Sequence, residues 1–75
     1  MGKYKFTLLV TYRSPSSEEL QHTSIEFATD SENQKIVRSA RIKAAHSKLG
    51  ELCETISWIL FNEAGGIVDQ KVLEY

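Results

Sequence analysis

Residues 42–60 read IKAAHSKLGELCETISWIL. Ile42, Ala45, Leu49, Leu52, Ile56 and Ile59 recur within this stretch at alternating steps of three and four residues, the spacing that lines one stripe of an α-helix. In a chain of 75 residues such a helix is the largest element available, and the rest of the chain is read as what it packs against. Upstream, Asp30-Ser-Glu-Asn-Gln34 offers turn and N-cap chemistry with acidic groups where a helix start favours them. Downstream, the helix is expected to run to about Ala64, where Gly65-Gly66 supplies the positive-φ positions that end helices. At ~1.5 Å per residue this element would be about 50 Å long, well beyond strands of about nine residues at ~3.3 Å each. The excess is relieved if the first turns overhang the sheet, if Gly50 marks a bend, or if residues 35–44 are not helical. Ile36, Arg38, Ala40 and Ile42 also fit a period of two; the helix is the favoured reading.

On either side lie strand patterns. From residue 4 to 12, Tyr4, Phe6, Leu8, Val10 and Tyr12 share one face and Lys5, Thr7, Leu9 and Thr11 the other. Residues 20–29 are rich in β-branched and aromatic side chains, with Thr23, Ile25 and Phe27 inward and His22, Ser24 and Glu26 outward. Between the two runs Pro15, the chain's one proline, breaks the strand because it fixes φ and donates no backbone N–H. Ser16 and Glu19 have capping-box spacing, which allows one helical turn in that loop. Residues 67–75 read as a last strand. The order strand, strand, helix, strand favours a right-handed crossover that puts the most apolar strand in the centre. The expected fold is therefore α+β, a two-layer ββαβ sandwich with a three-stranded antiparallel sheet in the order 2-1-3 packed on one long helix, all in one compact domain over residues 1–75.

At this length folding buries about 60–65% of the surface the unfolded chain exposes, and one core in this range rarely supplies more than about 3–5 kcal/mol without a disulfide, a metal or a second subunit. The lone Cys53 cannot form an internal bridge, which fits a reducing compartment. The start lacks a signal-peptide pattern, and no apolar run approaches the ~18 residues of a membrane span. A cytoplasmic protein with no membrane partner is expected. A formal net charge of −1 gives no global field for gripping nucleic acid.

On a helix of this extent the sheet-facing stripe would collect Ile42, Ala45, Leu49, Leu52, Cys53, Ile56, Ile59 and Leu60. Val37, Ala40, Ala44, Ser47, Trp58 and Phe61 would then form a second flank, with small residues for close approach and aromatic anchors. This flank is read as a protein interface, including that of an antiparallel homodimer, against the plainer reading in which Trp58 and Phe61 complete the monomer's core. Basic residues precede Gly50 and acidic ones follow it. Lys35, Arg38, Arg41 and Lys48 are thus candidate nucleic-acid contacts, although an ordinary solvated face is the favoured account, and the outward sheet face lacks exposed aromatics for stacking bases.

Little points to catalysis. His46 and Cys53 would lie roughly 10 Å apart along a helix, too far to act as base and nucleophile or to share a metal unaided. Cys53 on an apolar stripe reads as a buried small hydrophobe. Glu51 and Glu54 have no His or Asp motif beside them, and Gly65-Gly66 follows a helix rather than leading into one, so it is no phosphate loop. No metal, cofactor or catalytic residue is assigned. The resulting expectation is a non-enzymatic protein-interaction module, an inhibitor or adaptor of the kind common among phage and mobile-element accessory proteins, with a nucleic-acid-binding regulator as the alternative.

Overall fold

A computed structural model describes residues 3–16, 18–50 and 53–71. Its elements run β1 (Tyr4–Arg13), β2 (Gln21–Thr29), α1 (Gln34–Leu49), β3 (Glu54–Asn62) and β4 (Ile67–Lys71). The strands form one antiparallel sheet in the order β2-β1-β3-β4, with the helix against one face. The expected α+β class, the single helix and the central place of β1 are all present. The difference is in the extent of the helix and the number of strands: the chain is ββαββ.

The long helix of the sequence reading stops at Leu49 and does not reach Ala64. Gly50 ends it, with φ 85° and ψ 164° and its N–H donating to the His46 carbonyl at 2.9 Å. That backbone region is open to glycine almost alone. Beyond it, Thr55, Ile56, Trp58, Ile59 and Phe61 are the β-branched and aromatic types that fit a pleated surface, and they form a strand alongside β1. Ile56 and Ile59 therefore do not extend the helical stripe, and the strand beside β1 is residues 54–62 rather than 67–75. Residues 67–71 add a fourth strand outside it; the part of the expected last strand at 72–75 lies outside the described residues, as do Leu52 of the expected stripe and Glu51.

The start of α1 is capped by Asn33, whose Oδ1 accepts from Lys35 N at 2.9 Å, while Ser31 Oγ accepts from Asn33 N at 3.1 Å. Buried Thr29 satisfies its hydroxyl by donating to the Ser31 carbonyl at 2.7 Å. At the helix end Cys53, half-buried, donates its thiol to the Leu49 carbonyl at 2.9 Å. In the loop after β1, residues 15–16 turn and residues 18–19 bend, and residue 17, inside the expected capping box, lies outside the described residues.

The core lies between the helix and the central strands. Phe6, Leu8 and Val10 of β1, Ile25 of β2, Val37 of α1 and Leu60 of β3 are buried, Leu8 and Leu60 to 1% exposure. Leu8 is paired with Ile25 on one side and Leu60 on the other, so it contacts neighbours on both sides as well as the layer above. Phe6 and Phe27, directly opposite across β1 and β2, stack at 5.4 Å and 22°. Ala44, Ala45 and Leu49 of α1 pack on the core from above. The true sheet-facing stripe is thus Val37, Arg41, Ala44, Ala45 and Leu49, while Ile42, which the longer helix would have buried, is 43% exposed.

A candidate groove and an open sheet face

The helix does not lie evenly over the sheet. It packs chiefly above β2, and the inward side of β3 and β4 stays partly uncovered. A groove of about 380 Å³ results, floored by Phe6, Val37, Leu60 and Val68 and rimmed by Arg38 and Arg41 on one bank and Asp69 on the other, with Glu32 at the helix start.

Arg41 is the unusual member. It occupies the sheet-facing stripe of α1, where an aliphatic residue is the ordinary choice, and its guanidinium lies 4.0 Å from the Trp58 ring centroid. Its Nε is buried with no hydrogen-bond partner. Burial lowers the proton affinity of the group below the usual guanidinium value; the nearby Asp69 carboxylate opposes that and the Arg38 charge adds to it. Asp69 is therefore an electrostatic neighbour, but no ion pair within 4.0 Å joins it to Arg41 among the described residues. Its Oδ1 accepts from Gln70 N at 2.9 Å. Stacking on the indole fixes the plane of the arginine fork.

The six residues read as one helical flank are distributed over two elements. Val37 is buried in the core and lines the groove; Ala40 is half-buried; Ala44 packs on the core; Ser47 is exposed. Trp58 sits on the helix-facing side of β3, against the core and beneath Arg41. Phe61, three residues on, has the opposite strand parity and belongs to the far face of the sheet. Because residues 54–62 are a strand, no second helical flank exists. Of the four basic candidates, Lys35, Arg38 and Lys48 are exposed on α1 and Arg41 is turned inward.

The far face of the sheet, away from α1, carries Lys5, Thr7, Leu9 and Thr11 of β1, with Ser57, Ile59 and Phe61 beside them on β3. Leu9 is paired with Ile59, Thr7 with Phe61 and Thr11 with Ser57. Leu9 is 44% exposed in the middle of this face. Thr11 Oγ1 and His22 Nδ1 are hydrogen-bonded at 2.9 Å along one border. The apolar content of this face is not legible in the sequence: the strand pattern places Leu9 outward, but Ile59, its partner, and Phe61, the partner of Thr7, fall within the expected helix.

The chain matches no family model, no curated protein and no solved structure. Among the described residues no three His, Cys, Asp or Glu side chains converge as a metal site requires, and no helix is long and apolar enough to cross a membrane.

Proposed function

We propose that the chain is a non-enzymatic protein-interaction module, an adaptor or inhibitor, and that the groove between α1 and β3–β4 receives a segment of another protein that presents a carboxylate next to an apolar side chain. The observation that carries this reading is Arg41, stacked on Trp58 with a buried and unpartnered Nε–H. Leaving such a donor unsatisfied costs about 1–3 kcal/mol, and an apolar side chain would fill the same place in the stripe without that cost. Arginine and tryptophan are also the types that anchor protein interfaces. A guanidinium already held flat loses little further freedom on pairing with a planar carboxylate. The floor of Val37, Leu60 and Val68 would take the apolar neighbour.

Asp69 and Glu32 on the rim offset Arg38 and Arg41, so the groove is selective rather than a general sink for anions. That balance weighs against a polyphosphate backbone, which gains affinity by neutralising many phosphates at once. The nucleic-acid reading rests on Lys35, Arg38 and Lys48 alone.

The test is a photoreactive side chain at Val68, which lines the groove and is exposed, activated in the native host. The expected product is a nuclease-resistant adduct with a second protein, reduced at least about tenfold by Arg41→Met, in line with a hot-spot loss. A nuclease-sensitive adduct, an adduct indifferent to Arg41→Met, or no adduct at all would overturn the proposal.

A further inference from the structure

We infer that the uncovered face of the sheet is the contact surface for a second copy of this chain, joined face to face about a two-fold axis that runs close to the strand direction between β1 and β3. This inference is independent of the groove, which opens on the other side of the sheet.

Its first support is composition. The centre of the face is Leu9, Ile59 and Phe61, bordered by Thr7, Thr11, Ser24 and Ser57, with Ile67 of β4 paired to Phe61 and 59% exposed. Charge lies at the two ends of the face: Lys5, Glu26 and Glu63 share a shallow depression at one, and Arg13 and Glu54, paired across β1 and β3, form an ion pair at the other. An apolar centre with an aromatic, depleted of charge and rimmed by small hydroxyls, is the anatomy of an interface core.

The second support is register. A two-fold axis along the strands, between β1 and β3, lays each outward residue of β1 over the β3 residue with which it is paired inside the protomer. Leu9 then meets the partner's Ile59, Thr7 meets the partner's Phe61 and Thr11 meets the partner's Ser57, each contact occurring twice. The same operation brings Arg13 over the partner's Glu54, its own pairing partner within the protomer, and, at the other end, Lys5 near the partner's Glu63, with which it lines one depression, so both ends offer opposite charges to the partner. The resulting stack of two sheets, about 10 Å apart with strands within about 30° of each other, is the ordinary aligned β-sandwich.

The third support is size. Strands of five to ten residues at ~3.3 Å per residue, four abreast at ~4.8 Å, give a face of about 500 Å² in projection, the scale of a small interface that forms and dissociates with concentration.

Sedimentation equilibrium over a wide concentration range tests the inference, with circular dichroism to verify folding. The wild type is expected to be a dimer, and Leu9→Lys, placed on an exposed strand position that tolerates lysine, is expected to raise its dissociation constant at least about 30-fold. Arg41→Met, on the opposite side of the sheet, should leave it unchanged. Because Leu9→Lys adds a charge as well as removing an apolar contact, the register has its own test: Lys5→Glu should weaken the dimer about fivefold, and adding Glu63→Lys should restore it, as expected of a rim pair. A wild type that stays monomeric at high micromolar concentration, a dimer indifferent to Leu9→Lys, one dissociated by Arg41→Met, or a charge swap that fails to restore association would each overturn the inference.

Discussion

Arg41 sits where the helix meets the sheet, and its energetics set it apart from its neighbours. Stacking on Trp58 at 4.0 Å is worth about 0.5–2 kcal/mol depending on how dry the pair is. The unpartnered Nε–H costs about 1–3 kcal/mol, and burial disfavours the charge itself. At mid-range the cost exceeds the gain by about 1 kcal/mol, which makes the arginine a liability for folding. Arg41→Met keeps an unbranched chain over the indole and removes both the orphan donor and the desolvated charge. We expect this variant to be more stable than the wild type by about 1 kcal/mol in urea denaturation, with partner binding lost. A destabilised Arg41→Met would mean that the stacked cation is there for the fold. Sequence reasoning had picked out Arg41, Val37 and Trp58, but for two separate surfaces. Their convergence depends on a long-range helix-to-strand contact, which no periodicity within one segment reports.

Among the elements, the boundary at Gly50 decides the topology. Residues 42–60 satisfy a helical period, yet the second half of the stretch is built from Thr55, Ile56, Trp58, Ile59 and Phe61, whose branched and aromatic side chains favour a strand. The run of apolar residues at three- and four-residue steps was a coincidence of two half-buried elements placed end to end. Gly50 was legible as a bend, and the overlong helix was itself a warning, but the period outweighed the propensity. By contrast, the strands at 4–13 and 21–29 were legible because alternation and β-propensity agree in both. A Cβ at Gly50 meets nothing within 4 Å, so substitution there tests backbone conformation free of any clash. With φ 85° and ψ 164°, Gly50→Ala is expected to cost about 1–3 kcal/mol in thermal or urea unfolding. At the other end of the helix, Asn33→Ala removes the Oδ1 acceptor from Lys35 N and should cost about 1 kcal/mol. A Gly50→Ala variant as stable as the wild type would mean that the helix can run on into the following residues.

At the scale of the whole molecule, one helix lies on one side of a four-stranded sheet and covers it only in part, and the core is small: six buried apolar residues among those described. A single core in a chain of this size rarely supplies more than about 3–5 kcal/mol, and the lone cysteine is free. Covering the Leu9–Ile59–Phe61 face with a second copy removes apolar surface from water at about 25 cal/mol per Å² before the cost of association. Stability and association are then linked, because the associated state is folded and mass action favours it as concentration rises. The melting temperature of the wild type is therefore expected to increase with protein concentration, while that of Leu9→Lys should be lower and independent of it. The sign discriminates between two accounts of Leu9. If its exposed side chain were simply solvated, Leu9→Lys would melt at the wild-type temperature at every concentration, because replacing an exposed residue on a strand face changes stability by less than about 0.5 kcal/mol. If it is the centre of a contact, the difference between the two proteins should vanish on dilution, where both are monomers, and grow steadily as the wild type associates.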